Sequence, residues 1–241
     1  MAKISSSTKK AYTLVELSIV LVIIAIFLSS GLNIFTNNIV QTKTVNTKEK
    51  LNIIYKSLAE HLMTQKRLPC PTLLTTPKDS GTSYGSPNAT PCSTTTGGVP
   101  TRVLDLPSDM AEDDFGNKIL YVVDARLTVS PFFVAPVTTI DGQGAITIIN
   151  NGTVETSTKP MLLLLSYGAN SCGATKINAQ QNVPCLDNND GADQLQNSDN
   201  DTTFTTTSTH PKFDDVILTK TYYDFLQELN LTQTQAQAYF R

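Results

Sequence analysis

The sequence predicts an α+β fold in which a long N-terminal helix packs on a C-terminal antiparallel β-sheet domain with long loops. The first observation is a nearly continuous apolar run from Tyr12 to Phe35. The second is a helical pattern that continues beyond this run to Lys66. The third is a series of short strand-like runs, separated by turn signals, in the rest of the chain. The 241 residues are enough for one or two domains and a sizeable core.

The first eleven residues form a basic leader ahead of the apolar run. They contain Lys3, Lys9 and Lys10 and no acidic residue. As a helix, the 24 residues Tyr12–Phe35 would be roughly 36 Å long, enough to cross a hydrocarbon core of about 30 Å. We therefore predict a leader at residues 1–11 and a transmembrane and assembly helix at residues 12–35, with the lysines on the cytoplasmic side.

Glu16 is the one residue that does not fit a plain membrane anchor. A carboxylate at this depth in an apolar helix costs about 3 kcal/mol on insertion scales, so it needs a partner. A cut between Ala11 and Tyr12 would give Tyr12 a free α-amine. Such an amine from a neighbouring subunit could neutralise the Glu16 carboxylate in a helical bundle.

Residues 36–67 are predicted to continue the helix with one apolar face. Five apolar residues recur at helical spacing over three turns, which is the pattern of an amphipathic helix: Leu51, Ile54, Tyr55, Leu58 and Leu62. The other faces carry charged residues. The Leu68-Pro69 pair is expected to end the helix, because a proline disfavours helical backbone in the residue before it.

Residues 68–241 are predicted to form a globular α+β domain whose strands are joined by short turns. Strand-like runs lie at residues 119–123, 132–139, 145–149, 161–166 and 216–219. The turn signals are D-G-Q-G at residues 141–144 and N-N-G at residues 150–152, and residues 153–155 are expected to pair back with residues 145–149.

Two polar segments lie before and between these strand-like runs. Residues 70–101 are interpreted as a long loop, and residues 186–212 as a polar, disorder-prone segment. The residues from Tyr223 to Arg241 have helical spacing and predict a C-terminal helical tail.

Four cysteines follow the apolar run, so all lie on the translocated side of the predicted anchor. An oxidising environment there favours disulfides, and no C-x-x-C spacing indicates a metal or redox motif. Four cysteines allow three connectivities. We favour Cys70–Cys92 with Cys172–Cys185, because each pair closes a short loop. Free structural thiols are the alternative.

The segment K-K-A-Y-T-L-V-E-L at residues 9–17 closely resembles the prepilin cleavage and methylation motif of type IV pilins and type II secretion pseudopilins. The resemblance implies that Ala11 precedes the cut, that Tyr12 becomes the N-methylated first residue, and that Glu16 is the assembly glutamate. Ala11 stands where glycine is usual in the family, and Tyr12 where phenylalanine is usual.

Further segments extend the resemblance into the globular domain. V-P-T-R-V-L-D-L at residues 99–106 and D-D-F-G-N-K-I-L-Y-V-V at residues 113–123 look like a central block of pilin-like proteins. R-L-P-C-P at residues 67–71, L-S-Y-G-A-N at residues 165–170 and F-D-D-V-I at residues 213–217 resemble segments of pseudopilin-like proteins.

The resemblance implies a type IV pilin-like fold and a structural subunit of a pilus or pseudopilus. The subunit would span the inner membrane once, with its globular domain in the periplasm, and would then move into the filament. The implied partners are prepilin peptidase, other pilin or pseudopilin subunits, the inner-membrane assembly platform and inner-membrane lipid. The long loops and the C-terminal tail favour a pseudopilin or minor subunit over the bulk one.

Catalytic chemistry is not indicated by the sequence. The only two histidines are His61, one position from the apolar stripe, and His210, in a polar segment. No nucleophile-elbow, P-loop or dinucleotide-binding motif is present. We therefore predict that the protein is not an enzyme and needs no cofactor.

Calcium is the one metal that the sequence leaves open. Residues 187–201, D-N-N-D-G-A-D-Q-L-Q-N-S-D-N-D, offer many oxygen ligands but lack the spacing of an EF-hand loop. A solvated loop is the favoured interpretation. The pair Asp214-Asp215 is interpreted as a turn or strand cap.

A tip adhesin or a DNA-uptake minor pilin is the alternative function, as a binding module rather than a scaffold. The whole chain has 18 basic and 21 acidic residues, for a net charge of −3. Removal of the three leader lysines leaves 15 basic residues and a net charge of −6. An acidic exported part does not favour phosphate binding, so no nucleic-acid partner is expected.

Overall fold

The structure is a computed structural model of the chain. It describes residues 13–87, 92–129, 144–156, 159–178, 183–185, 191–199, 201–207 and 213–239, and within the first helix it describes the side chains of residues 14–26 and 38–65. The chain divides into two compact units between Thr42 and Lys43, and each is described by itself.

The N-terminal helix α1 extends from Leu14 to Gln65 and has 52 residues. It ends where Lys66 adopts a left-handed backbone conformation, with φ of 56°, while its N–H still donates to the carbonyl of Leu62 at 2.9 Å. Leu68 and Pro69 follow outside any helix or strand. The predicted continuous helix is thus confirmed, and it ends at Gln65, before Leu68-Pro69.

Membrane crossing by α1 is not confirmed. Among the helical residues whose side chains are described, which exclude residues 27–37, no segment is long and apolar enough to span a membrane.

The part of α1 in the second unit buries the predicted apolar stripe. Leu51, Ile54, Tyr55, Leu58 and Leu62 are all at most 2% exposed. Full burial of one such side chain stabilises a fold by roughly 1.5–3 kcal/mol. Packing of this stripe, rather than helix propensity, therefore holds this half of α1 on the domain.

Seven strands form two sheets in the described part of the chain. The strands are β1 (Thr96–Gly98), β2 (Leu120–Val123), β3 (Thr147–Asn150), β4 (Thr153–Val154), β5 (Leu162–Ser166), β6 (Thr203–Thr207) and β7 (Val216–Lys220). One sheet has the order β1-β2-β5-β7 and is antiparallel throughout, as predicted. The other has the order β4-β3-β6.

The larger sheet lies between two hydrophobic layers. Tyr121 of β2 and Leu164 of β5 belong to the core that contains the α1 stripe. Their chain neighbours Leu120 and Leu165 belong to a second core, which contains Ile148 of β3 and other residues of the smaller sheet. Because both faces are covered, β2 and β5 are buried along their whole length, which explains the continuous apolar sequence of β5.

The smaller sheet joins a tight hairpin to a distant strand. β3 and β4 pair antiparallel through Asn151 and Gly152, whose positive φ angles of 48° and 75° fit a two-residue hairpin turn. This confirms the expected pairing of residues 153–155 with residues 145–149. β3 also pairs with β6 in parallel, so the prediction of antiparallel pairing throughout was wrong for this strand.

Two segments interpreted as loops contain regular structure. The segment 70–101 contains β1, and its residue Thr72 forms a bridge with Gly98. The segment 186–212 contains β6 and the helix α2, from Gly191 to Ser198. The predicted strand at residues 132–139 and most of the D-G-Q-G turn lie outside the described residues.

The C-terminal tail is helical, as predicted. Helix α3 spans Tyr222–Glu228 and helix α4 spans Gln233–Tyr239. Thr221 and Asp224 form a capping box at the start of α3, where the Thr221 N–H donates to Asp224 Oδ2 at 2.6 Å. Tyr222 and Phe225 of α3 are buried in the core that contains the α1 stripe.

Candidate functional site

The first turn of α1 presents the Glu16 carboxylate close to the start of the helix. The Glu16 N–H donates to Thr13 Oγ1 at 3.3 Å, and the Leu17 N–H donates to the Thr13 carbonyl at 3.2 Å. Thr13 therefore satisfies backbone donors that a helix start leaves unpaired. The partial positive charge of the helix N-terminus favours an acidic side chain in this turn.

The apolar side chains around Glu16 are exposed in the isolated subunit. Every side chain described from Thr13 to Ile26 is exposed, and Leu14 reaches 85%. The large apolar residues in this set are Leu14, Val15, Leu17, Ile19, Val20, Leu21, Val22, Ile23, Ile24 and Ile26. Within the same stretch, Ser18 Oγ donates to the Val15 carbonyl at 2.7 Å. A patch of this size marks an interaction surface.

The predicted processing residues are not placed by the structure. Ala11 and Tyr12 lie outside the described residues, as does the whole leader. Glu16 is described, and it is the acidic residue of the first helical turn. The cut after Ala11, the methylation of Tyr12 and the assembly role of Glu16 therefore stay predictions.

The motif D-D-F-G-N-K forms a turn that contacts the second part of α1. Lys50 Nζ lies 2.7 Å from Asp114 Oδ1, and Asn46 Nδ2 donates to Asp114 Oδ2 at 2.9 Å. Lys43 lies over the Phe115 ring, 5.6 Å from its centroid. Burial raises the pKa of Asp114, but the hydrogen bonds from Lys50 and Asn46 and the nearby positive charges outweigh it and hold the pKa below its usual value.

Asp113 is the centre of a buried polar cluster behind this turn. Its Oδ1 accepts from the backbone N–H groups of Phe115 and Asn117, at 2.9 and 2.8 Å. Its Oδ2 accepts from the Ser166 hydroxyl at 2.6 Å and from Asn117 Nδ2 at 3.1 Å. Lys176 Nζ donates to the oxygen of the same Asn117 amide. The sequence indicated this motif only through its resemblance to pilin-like proteins. It did not predict the polar cluster around Asp113.

Both favoured disulfides are present in the structure. Cys70 pairs with Cys92 and Cys172 pairs with Cys185, and no described cysteine is free. The first disulfide ties the chain that leaves α1 to the segment just before β1. The second closes a loop in which the Gly173 N–H donates to the Val183 carbonyl at 2.9 Å.

Asp214 and Asp215 connect β7 to α2. Gln194 Nε2 donates to Asp214 Oδ1 at 2.8 Å, and Asn197 Nδ2 donates to Asp215 Oδ2 at 2.7 Å. The other oxygen of Asp215 is buried without a hydrogen-bond partner. Burial raises the pKa of Asp215 to about 7, with a smaller contribution from the charge of Asp214 that opposes the hydrogen bond from Asn197.

The Asp214-Asp215 pair therefore does more than cap a turn. Asn197 also exchanges hydrogen bonds with the backbone of Thr205 in β6, at 2.7 and 3.0 Å. The two carboxylates thus hold α2 beside the start of β7, and Asn197 holds it against β6. Sequence reasoning missed this role, because the amides that contact the carboxylates lie in a segment interpreted as a polar loop.

No metal site can be assembled from the described residues. Among them, no group of three or more His, Cys, Asp or Glu side chains is arranged to hold an ion. Asp187 and Asp190 of the acidic segment lie outside the described residues. Asp199 and Asp201, which are described, accept hydrogen bonds from Gln196 and from nearby backbone.

His61 is placed as a packing residue. It is partly buried, its Nδ1 lies 3.1 Å from the Arg67 carbonyl, and burial lowers its pKa. His210 lies outside the described residues.

Comparison with known proteins identifies the N-terminal segment. Residues 6–32 match the family model described as the prokaryotic N-terminal methylation motif. No match was found among curated proteins or among solved structures. The matched range includes Ala11, Tyr12 and Glu16 and the exposed apolar surface of α1. The chain thus carries the prokaryotic N-terminal methylation motif, the signature of type IV prepilins and pseudopilins.

Proposed function

We propose that the protein is a pilin-like structural subunit, a pseudopilin or minor pilin of a type II secretion or type IV pilus system. Prepilin peptidase cuts it after Ala11, and the new N-terminal Tyr12 is methylated. Its N-terminal segment holds the subunit in the inner membrane, with the globular unit in the periplasm. The assembly platform then moves it into a filament, in which α1 packs against the helices of other subunits.

The observation that carries the proposal is the exposed apolar surface of α1 within the matched motif. Ten large apolar side chains face solvent between Leu14 and Ile26. Burial of each would be worth roughly 1.5–3 kcal/mol. Lipid can cover this surface before assembly and neighbouring helices can cover it afterwards, so the same segment serves both states.

Glu16 would set the axial register between subunits in the filament. Within that apolar surface its carboxylate is costly in lipid and less costly beside a cation. After cleavage, the methylated amine of Tyr12 in a neighbouring subunit is such a cation. Pairing of the Glu16 carboxylate with this amine would favour the filament over the membrane-embedded subunit. It would also select one axial offset between neighbouring subunits.

The proposal is of a structural subunit rather than an enzyme, and it invokes no cofactor. Its support is the N-terminal methylation motif together with the exposed apolar surface of α1.

Mass spectrometry of the mature N-terminus tests the processing step. The chain is expressed with and without prepilin peptidase, extracted in detergent and digested. We expect a peptide that begins with N-methylated Tyr12 only when the peptidase is present. Ala11→Gly, which restores the usual family residue, serves as the matched control and should be cut at least as fast. An intact leader in peptidase-positive cells would refute the proposed processing.

A DNA-binding measurement distinguishes a structural subunit from a DNA-uptake minor pilin. The processed chain in detergent is titrated with duplex DNA at low and high salt. We expect no affinity with the steep salt dependence of phosphate contacts. A steep dependence would favour a DNA-uptake pilin.

A further inference from the structure

Lys176 and Asn117 lie directly opposite each other in an antiparallel bridge between two segments far apart in sequence. Lys176 Nζ is 2.6 Å from Asn117 Oδ1. Asn117 is completely buried, and Lys176 is partly buried. An amine is therefore held against the carbonyl group of a buried carboxamide.

The carboxylate of Asp113 contacts the other end of the same carboxamide. Asn117 Nδ2 donates to Asp113 Oδ2 at 3.1 Å, and Asp113 is only 4% exposed. The Asn117 carboxamide thus has a nucleophile at its oxygen end and a proton-transfer group at its nitrogen. These are the two groups that exchange of one amide nitrogen for another requires.

The surrounding contacts restrict the motion of all three side chains. Asn117 Nδ2 also donates to the Gly168 carbonyl at 3.1 Å, and Lys176 Nζ also donates to Ser171 Oγ at 2.7 Å. Ser166 Oγ donates to the Asp113 carboxylate. Reactants held in this way avoid most of the entropy cost of meeting.

We propose that Lys176 and Asn117 become joined by an intramolecular amide bond, with Asp113 as the proton-transfer group. The Lys176 ammonium first loses a proton, and the free amine attacks Asn117 Cγ to form a tetrahedral intermediate. Asp113 takes a proton from the attacking nitrogen and delivers it to Nδ2. The Cγ–Nδ2 bond then breaks, and ammonia leaves. Overall, the Lys176 ammonium and the Asn117 primary amide are converted to one secondary amide and one free ammonium ion. The reaction needs no oxidant or co-reactant.

Two features of the site favour completion of the reaction. Burial of Asn117 excludes the water that would compete with the amine. Loss of ammonia to the solvent then makes the step irreversible. The link would connect the turn before β2 to the segment that contains the Cys172–Cys185 disulfide. The inference is independent of the proposed function.

Peptide mapping of the purified full chain in detergent tests the link directly. After reduction, alkylation and trypsin digestion, we expect one branched species that joins the peptides of Asn117 and Lys176. Its mass should be lower than the sum of the two peptides by one ammonia. Trypsin should not cleave after Lys176, because its amine is acylated. Separate, unmodified peptides from a sample that unfolds cooperatively would overturn the proposal.

Two lysine variants give a matched comparison. Lys176→Arg keeps a cation beside Asn117 but removes the nucleophile, so the branched peptide should disappear. Lys118→Arg changes the neighbouring lysine, whose Nζ donates to the Leu74 and Thr76 carbonyls, and the branched peptide should remain. A Lys176→Arg sample that still contains a branched peptide at Asn117 would refute the assignment of the nucleophile.

Asp113→Asn tests proton transfer. Loss of a general acid–base group slows such a step by about a hundredfold or more. We therefore expect the branched peptide to accumulate at least that much more slowly in Asp113→Asn than in the wild type, with circular dichroism used to verify folding. An unchanged rate in folded Asp113→Asn protein would exclude Asp113 from the reaction. If this variant does not fold, the wild-type map and the Lys176→Arg variant still decide whether the link exists.

Discussion

Lys50 of α1 and Asp114 of the turn before β2 form an ion pair, with Lys50 Nζ 2.7 Å from Asp114 Oδ1. Lys50 also donates to the carbonyl of Glu112 at 3.2 Å. The pair lies beside the apolar stripe of α1, so polar and apolar contacts together hold this half of the helix on the domain.

Lys50→Met should lower the free energy of unfolding by about 1 kcal/mol near neutral pH, because both side chains of the pair are only about one-fifth exposed. The pKa of Asp114 is depressed in the folded state, so the pair stabilises the fold above the unfolded pKa near 3.8 and loses this effect as the pH falls through the lower folded value. Urea unfolding near neutral pH and in strong acid measures the difference. The exposed Lys48→Met is the control, and a loss that persists in strong acid would contradict this account.

Glu16→Gln should abolish or strongly reduce filament assembly while leaving leader cleavage intact. The substitution keeps the shape of the side chain but removes the charge that would pair with a neighbouring N-terminal amine. Electron microscopy and the sheared filament fraction measure assembly, and mass spectrometry measures cleavage. Ser18→Ala is the control, because the Ser18 hydroxyl bonds within its own helix. Normal filaments from the Glu16→Gln variant would show that the Glu16 charge is not needed for assembly.

Asp215→Asn should stabilise the fold at pH 8 and above. Burial raises the folded-state pKa of Asp215 to about 7. The folded protein therefore gains stability from the protonated side chain, fully below the unfolded pKa of 3.8, and it loses this gain as the pH rises to about 7. Above that pH the folded protein holds a buried carboxylate with one oxygen unpartnered. Asparagine removes the charge and can still accept the hydrogen bond from Asn197.

Urea unfolding between pH 4 and pH 8 checks this prediction. The slope of the unfolding free energy against pH should be flatter for Asp215→Asn than for the wild type. Asp79→Asn, at an exposed carboxylate, is the control and should leave the slope unchanged. Destabilisation by Asp215→Asn at pH 8 would show that the ionised carboxylate is needed for the fold.

The double variant Cys172→Ser, Cys185→Ser should lower the free energy of unfolding by about 3 kcal/mol. This disulfide closes a loop with a sequence separation of 13, so its loss gives the unfolded chain more conformational freedom. The Cys70→Ser, Cys92→Ser pair, with a separation of 22, should lose a similar amount. Thermal and urea unfolding of both variants measure the losses, and an unchanged free energy would contradict the entropic account.

The predictions that held depend on local patterns. The stripe from Leu51 to Leu62 could be read from its spacing, because a helix repeats its face every three or four residues. The run from Leu162 to Leu165 was recognised as a strand from its apolar content and length. The hairpin at Asn151-Gly152 follows from the few residues that accept a positive φ.

The predictions that failed concern polar residues brought together over long distances. Gln194 and Asn197 are buried in α2, where they contact Asp214 and Asp215, so composition wrongly indicated an exposed loop. β6 is rich in threonine, and its parallel partner β3 lies far back in the chain. The pairing of Asn117 with Lys176 was missed for the same reason, because no local pattern links them.

The parallel pairing of β3 with β6 also determines when the fold can be completed. Between Asn150 and Thr203 the chain contributes β5 to the larger sheet and forms α2 before it returns to β3. The larger sheet itself needs β7, which comes later still. The smaller sheet can therefore close only after Thr207 has been synthesised, and the larger only after Lys220. Until then the strands made first expose unpaired edges that invite aggregation. Folding of this subunit is consequently a late event in its synthesis.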